Sequence, residues 1–528
     1  MTLPTGSGSE IGAEKLYRRR TLSWAWYDWA NHAYITTTAS TFFPPYFIAI
    51  AAPSFLAAGV AATDTAAQAL ARDTASNIFA LTVSLALFVA AILAPLIGAY
   101  ADITGRRKRL LILTTAAASC ISSLMFILVT GLWVQGLVLY FLSQVLMNFA
   151  LGFSSSLLPH VARADDLNRV SSLGYAMGYF GGGLLLALNT ALYLFSDRLG
   201  LESGTVVRIA FFSVGVWWLL FSIPLMLNVP EPPATPLAHG SRGSAVRDSF
   251  TRLANTIRDA RRYQELFKML LAFWFYMEGI GAIILLATSY GAALGLNTAV
   301  LISTLLMTQF VAFPYALMFG RIPDPDSRWR SAFASMLLWT AVTFPLIGVY
   351  ANLNGNVSLP LTFTLIAVDQ LLGLLFSFLV GRHLLAKFVA RLDTKHAVIM
   401  GLVIYVMIPV WGFFLHTQAE FFLIGWLVGT VQGGTQALSR TIYASLTPRA
   451  KSGEFFGLYG LSEKFAGILG PLLYGLVGTL THDPRASILS ISLFFVVGIF
   501  LLAQVNEAKG AQLAAQEEAQ IEMTRAAD

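Results

Sequence analysis

Between Ser331 and Val368 the chain carries no charged side chain, and stretches of the same kind, some of them longer, recur along its length. A helix needs about 20 mostly apolar residues to cross the hydrocarbon core of a bilayer. Runs meeting that test lie near 24–50, 77–101, 109–132, 134–158, 171–196, 207–228, 266–290, 298–320, 331–351, 360–382, 396–416, 419–440, 455–480 and 486–505. Lipid offers no partner to a bare backbone N–H or C=O, and membrane-spanning strands are only about 10 residues long, so runs of this length must be helices. Of 528 residues 56% are hydrophobic and 12% charged, where soluble proteins carry about a quarter charged residues. The expectation is an all-α polytopic membrane protein with about fourteen transmembrane helices by the length criterion.

The basic residues fix the expected orientation. With the N-terminus in the cytoplasm, the cytoplasmic segments hold Lys15, Arg18 to Arg20, Arg106 to Arg109, Arg163, Arg169, the arginines of 229–264 and the basic residues of 321–330, 382–396 and 440–452. The outer loops hold only Arg72, Arg198, Arg208 and Arg485. The net charge of +6 is thus a positive-inside signal, and nucleic acid is not an expected partner. The domains read as a cytoplasmic tail, 1–23, and a six-helix bundle, 24–228. A cytoplasmic linker, 229–264, follows, then a second bundle, 265–505, and a C-terminal tail, 506–528. Within the linker Val246, Phe250, Leu253 and Ile257 recur every three or four residues among arginines, the pattern of an amphipathic helix on the membrane surface. The first residues have no apolar core of the signal-peptide kind, and both ends are expected in the cytoplasm of a prokaryotic plasma membrane. Cys120 is the sole cysteine, so no intramolecular disulfide forms.

The segment GAYADITGRRKR, 98–109, ends the second span. Its spacing, Gly98, Asp102, Gly105, Arg106 and Arg107, is similar to the loop motif of the major facilitator superfamily, Gly-x-x-x-Asp-x-x-Gly-Arg-Lys/Arg. Gly98 permits close helix approach, Asp102 suits a helix cap or an arginine pair, and Gly105 suits a tight turn. FGRIPDPD repeats the spacing weakly from Gly320 to Asp324, and RLDTKHAVIMG at 391–401 looks like its displaced remainder, as if a helical pair stood inside the motif. That pair, 331–382, is split by the turn ANLNGN. A second echo joins 156–183 to 445–471: each has Ser-Leu-x-Pro, a short polar loop and a glycine-rich helix, with Gly174, Gly178 and Gly182 on one face. Such parallel repeats place a substrate site between two halves.

YDWANHAY at 27–34, FFPPYF at 42–47, NRVSSLGYAMGYFGG at 168–182, WWLLFSIPL at 217–225, YMEG at 276–279, QGGTQALSRTIYASLTP at 432–448 and EFFGLYGLSEKFAGILGP at 454–471 extend the likeness. Through them the chain resembles the vacuole-effluxer, or autophagy-related permease, family of that superfamily. The resemblance implies a fold of two pseudo-symmetric helical bundles, twelve helices plus the inserted pair, and export of amino acids or related metabolites. It departs from the family pattern at His32, where a small residue is usual, at Glu278, where aspartate is usual, and in the inserted 325–390.

An ionisable side chain at the bilayer centre costs roughly 2.5–3.5 kcal/mol on insertion scales, so each such group needs a reason. Asp28, Asn31 and His32 share a helix face. From a span start near Ser23, Asp28 lies about 8 Å in, and a place among the interfacial tryptophans is the alternative to a proton site. Glu278 lies about 18 Å deep in FWFYMEGIGAI, with no cation nearby in sequence, and is the stronger proton carrier. Gln144, Asn148, Gln309, Gln432 and Gln436 offer donors and acceptors to a polar solute, or bridges between helices.

The expected function is a secondary transporter moving a small polar solute by alternating access with protons as the coupling ion. No phosphate-binding Gly-x-x-x-x-Gly-Lys-Ser/Thr loop occurs, and no His-Glu-x-x-His or nucleophile–base pair, so no catalytic residues, cofactor or metal are expected. The partners are the solute, protons and the bilayer, and the chain is expected to act as a monomer. An exporter of amphipathic drugs or lipids, and a non-transporting receptor on the same fold, are the competing functions.

Overall fold

The structure, a computed structural model, describes residues 7–56, 64–234, 249–251, 262–296, 298–355, 357–465 and 467–527. Val246, Leu253 and Ile257, which carry the expected amphipathic helix, lie outside the described residues. Among those described, every regular element is helical. The principal helices are α1 (Ser7–Ala33), α2 (Phe43–Ala51), α3 (Thr65–Thr104), α4 (Arg107–Leu124), α5 (Trp133–Val161), α6 (Leu167–Leu194), α7 (Ser203–Asn228), α8 (Gln264–Ala293) and α9 (Thr298–Phe319). They continue with α10 (Arg330–Asn354), α11 (Leu359–Phe376), α12 (Thr394–Phe413), α13 (Gln418–Ser445), α14 (Ser452–Phe465), α15 (Leu469–Thr481), α16 (Pro484–Ser490), α17 (Ser492–Ala503) and α18 (Glu507–Ala527).

Ten helices among the described residues are long and apolar enough to cross a membrane, fewer than the fourteen runs read from hydropathy. The difference has particular causes. α1 carries the basic cluster up to Arg20, α13 carries Glu420, Arg440 and its glutamines, α9 supplies only a short apolar stretch, and the run 455–480 is broken into α14 and α15. Both members of the pair at 331–382 meet the test, as α10 and as α11 with its continuation to Leu384.

Two compact units emerge, each gathering segments that are distant in sequence. Unit 1 comprises Met1–Val161, Phe180–Leu253 and Ala450–Leu461; unit 2 comprises Ala162–Tyr179, Ala254–Arg449 and Ser462–Asp528. In unit 1, α1 packs on α7, α3 on α5, and α4 on both α5 and α7. In unit 2, α8 packs on α17, α9 on α13, and α12 on both α13 and α17. The pairings correspond one for one when α10 and α11 are left out, which puts those two helices between the second and third members of the second repeat.

In unit 1, α1 runs on into a π-helical turn, Tyr34–Phe42, before α2. Pro44 and Pro45 bring no N–H to that junction, and the threonines answer it from their side chains. Thr36 donates to the His32 carbonyl at 2.9 Å, and Thr41 donates to the Thr36 carbonyl at 2.7 Å.

The segment expected as a C-terminal tail, 506–528, holds the packed helix α18 in unit 2. Its Glu517 is buried and accepts the Tyr263 hydroxyl at 2.6 and 2.7 Å. The backbone N–H of Asn506, just before α18, donates to Glu265 at 2.9 Å. Glu507 accepts the N–H of Lys395 at the start of α12, 2.9 Å away, while the Lys395 ammonium donates to the Val505 carbonyl at 2.8 Å. Burial, with Asp393 beside it, pushes the Glu507 carboxyl up from its ordinary 4.5 to about 7, against the opposing pull of Lys395 and His396. The docked helix therefore binds a proton that the released helix gives up. Docking is strongest below pH 4.5 and weakens as pH rises through about 7. Hydrogen exchange of residues 507–527 in the full-length protein, corrected for intrinsic rates, should show greater protection at pH 5 than at pH 8, and Glu507→Gln should flatten that dependence.

Candidate functional site

The loop after α3 is built around a buried charge pair. Gly105, at φ +60, ends α3 in the left-handed conformation that glycine adopts without strain. The chain turns there, and Arg107 comes back over Asp102; Asp102 is 0% and Arg107 1% exposed. Asp102 does both things its spacing suggested. It pairs with Arg107, and its two oxygens accept the N–H groups of Gly453 at 2.9 Å and Glu454 at 3.0 Å, which begin α14. Arg107 also donates to the Ala450 carbonyl at 2.9 Å and to His160 Nε2 at 2.6 Å, and that nitrogen accepts the Ser452 hydroxyl at 3.2 Å. Gly98 lies directly on the Gly453 carbonyl, where any Cβ would overlap it. Arg106 faces outward and takes no part in this cluster. His160 and Glu231 were not singled out in the sequence. Glu231 accepts the N–H groups of Lys108 at 2.6 Å and Arg109 at 3.1 Å and so caps α4.

The second repeat solves the same problem differently. Gly320 lies against the side chain of Ser172, its Cβ position 2.5 Å away, as Gly98 lies against Gly453. Asp324 does not reach the facing helix and closes a local turn by accepting the Asp326 N–H at 3.0 Å. The grip on α6 comes from Arg440, which donates to the Ser171 hydroxyl at 3.0 Å and carbonyl at 2.9 Å and lies 4.4 Å from the Tyr175 ring. Asn168 adds a bond to Thr394 at 3.0 Å. Arg440 is 4% exposed, although its position near a span end read as a surface charge. The serine and glycines around it were the available signal.

In unit 1 the polar face of α1 turns inward. Asp28 is 1% and Asn31 0% exposed, while His32 is half-buried. His32 Nδ1 donates to the Asp28 carbonyl at 2.9 Å, within its own helix. Gly182 packs on the His32 backbone and Gly181 on the Trp29 ring, which uses the glycine-rich face of α6. α1 and α5 run antiparallel, tied by Trp24 donating to the Ser154 carbonyl at 2.9 Å and by Tyr34 with Ser143 at 2.6 Å. Asn31 therefore lies level with the turn that carries Gln144 and Asn148. Asn148 donates to the Gln144 carbonyl at 2.7 Å. Both polar atoms of the Asn31 amide, Gln144 Oε1 and Asn148 Oδ1 are buried with no hydrogen-bond partner. An unsatisfied buried group of this kind costs about 1–3 kcal/mol.

In unit 2, Glu278 is 0% exposed within a helix apolar enough to span. Its Oε2 accepts the N–H groups of Gly467 at 2.9 Å and Gly470 at 3.0 Å, and its Oε1 has no partner. Tyr276, two residues earlier, donates to Ser439 on α13 at 2.7 Å. Two residues turn about 200° around a helix, so Glu278 faces α15 and not the glutamines of α13. Of those, Gln436 accepts the Tyr179 hydroxyl at 2.7 Å and Gln432 is buried. Gln309, on α9, has its Oε1 buried and unpartnered. Asp369 stays within the inserted pair and its neighbours, taking bonds from Trp339 and Gln370 at 3.1 Å each. Among the described residues no cluster of His, Cys, Asp or Glu suits a metal ion.

Comparison with known proteins places this architecture. The sequence matches the family described as vacuole effluxer Atg22 like over residues 17–363 and 355–515. An uncharacterised MFS-type transporter of Bacillus subtilis, YxiO, is 27% identical over 505 residues, covering 95% of this chain and 98% of that one. Autophagy-related protein 22 of Cryptococcus neoformans is 27% identical over 349 residues, 65% of this chain and 53% of that protein. The matched region thus spans about half the length of that fungal relative. Among solved structures, the proton:xylose symporter XylE superposes with a TM-score of 0.56 at 14% identity, covering 95% of this chain and 99% of that one. A bacterial homologue of the iron transporter ferroportin, in an outward-facing state, gives 0.53 at 11% identity over 93% and 98%. These two likenesses show the fold, and the family match over nearly the whole sequence shows the rest: the chain belongs to the Atg22-like vacuole-effluxer family of major facilitator superfamily transporters.

Proposed function

We propose that this transporter exports a small polar solute of the amino-acid class, driven by protons and working by alternating access. The observation that carries the solute class is the set of buried amides in unit 1. Asn31, Gln144 and Asn148 leave donor and acceptor atoms unpaired at one level of the span, and a zwitterionic or amide-bearing solute satisfies both kinds of atom. Charged side chains for gripping a large anion are not part of that set. Fungal relatives named for autophagy and a family described as an effluxer support export as the direction. Fourteen spans follow when α1, α9, α13 and the broken α14–α15 join the ten apolar helices, with both termini in the cytoplasm of a bacterial plasma membrane and the monomer as the working unit.

Asp28 and His32 lie on the same face of α1 as Asn31 and belong to the proposed solute and proton path. Glu278 is the principal proton site, since among the described residues two backbone N–H groups are all that meets its carboxylate. Gln309, Gln432 and Gln436 serve the second half. Gly98, Asp102, Gly105, Arg106 and Arg107 form the gating loop. Asp102 holds 450–461 in unit 1, Arg440 holds 162–179 in unit 2, and the transport cycle requires both grips to be released and remade.

Two measurements test these assignments. A thermal-shift panel of amino acids, short peptides, sugars and drugs on the purified protein should show stabilisation by amino acids. Asn31→Leu should stabilise the solute-free protein by about 1–2 kcal/mol, because it removes an unsatisfied amide, and should lose the solute-induced shift. Stabilisation by apolar drugs alone would sink the solute assignment. For the loop, Asp102→Ala strands Arg107 and should cost about 3–5 kcal/mol in a denaturation assay. Glu14→Ala, which removes an exposed pair, should cost about 0–1 kcal/mol.

A further inference from the structure

The helix facing Glu278 is interrupted. α14 ends at Phe465 and α15 begins at Leu469, with Gly467 between them at φ +137. Only glycine adopts that angle readily. The first N–H groups of a helix have no carbonyl partner within it, a serious cost inside a membrane. Glu278 supplies the acceptor, and the positive end of α15 supplies a field that favours the carboxylate. The contact is tight. A Cβ at Gly470 would stand 2.6 Å from the Ala282 Cβ and 2.9 Å from the Glu278 carbonyl oxygen. A Cβ at Gly279 would likewise stand 2.7 Å from the Phe495 ring of α17. Neither the break nor the buried charge is stable without the other.

We propose that Glu278 is a proton-operated latch on this break: the carboxylate holds α15 open at Gly467, and protonation releases it. This rests on the reading of Glu278 as the proton site and adds what the proton does there. A neutral carboxyl loses its attraction to the helix end, and a hydroxyl on Oε1 finds no acceptor in the present geometry. The Gly467 N–H then returns to the carbonyl four residues back, at Glu463. Pro471, which has no N–H to return, leaves an ordinary proline kink where the break had been. Gly467 is the hinge, since it passes between a left-handed and a helical conformation.

The other titratable groups near the latch are Tyr276 on α8, Tyr405 stacked on Phe495, Tyr474 on α15, and Glu463 and Lys464 at the end of α14. The side chain of Lys464 lies outside the described residues. Tyrosines remain neutral across the physiological range.

The test is hydrogen exchange of residues 467–475 in the full-length protein in lipid nanodiscs, from pH 5 to pH 9, corrected for intrinsic rates. Wild type should gain protection on acidification by roughly tenfold or more, the ratio a charge-assisted hydrogen bond commands. Glu278→Gln, a permanently neutral isostere, should show the high-protection pattern at every pH. Gly467→Ala, which disfavours the open angle, should do the same with Glu278 intact. Protection that ignores pH in wild type, or a pH response retained in Glu278→Gln and so owed to Glu463 or Lys464, overturns the latch. Proton-linked flux is read separately. A latch that responds to pH in a transporter whose flux ignores the proton gradient leaves this inference standing and removes the coupling proposal.

Discussion

A carboxylate inside a membrane protein has no water to solvate it, and a helix that begins there has no water for its first N–H groups. Each deficit answers the other. Asp102 accepts from the start of α14, Glu278 from the start of α15, Glu231 from α4 and Glu507 from α12. Glu420 does so for its own helix, closing a capping box with Thr417. The acid and the helix it caps usually lie far apart in sequence, so these bonds decide where helices sit as well as whether they are stable. Asp102 and Arg107 bind the start of 450–461 within unit 1.

This dependence also makes such a fold responsive. A hydrophobic contact keeps its strength across the physiological pH range, whereas a carboxylate at a helix end loses its hold when it takes a proton. Asp102 is paired with the guanidinium of Arg107. Glu278 has no such cation beside it among the described residues, and Glu507, which burial pushes up to about 7, works in the opposite sense, its helix docking more firmly once it is protonated. The chemistry of the chain is that of a transporter and not an enzyme.

Ten of the fourteen expected spans recur as long apolar helices among the described residues, because hydropathy over a helix length is set by lipid, not by neighbours. The loop motif was legible because Gly98, Asp102 and Gly105 each answer a local demand. The repeat was legible in Ser-Leu-x-Pro and in glycine spacing, and packing shows the same order of partners in both units. Other features depend on tertiary context. His160 looked like a residue beside a proline, and nothing in its surroundings announced Arg107. Arg440 read as a surface charge because burial of an arginine requires Ser171 and Tyr175, some 270 residues away. The break at Gly467 had a signal in GILGP, but a glycine-rich span looks the same whether it packs closely or opens. The direction of Glu278 was out of reach, since sequence gives depth and not which neighbour a side chain meets.

Solute and proton sharing one cycle through Glu278 is the claim on which the functional account stands. Proteoliposomes with a pH-sensitive dye in the lumen, clamped at zero membrane potential and given only a gradient of a stabilising amino acid, test it directly. The account predicts that the solute gradient drives protons and shifts lumenal pH in wild type, and that Glu278→Gln abolishes the shift while still binding solute. Solute movement with no change in lumenal pH, or an undiminished pH shift in Glu278→Gln, would contradict it.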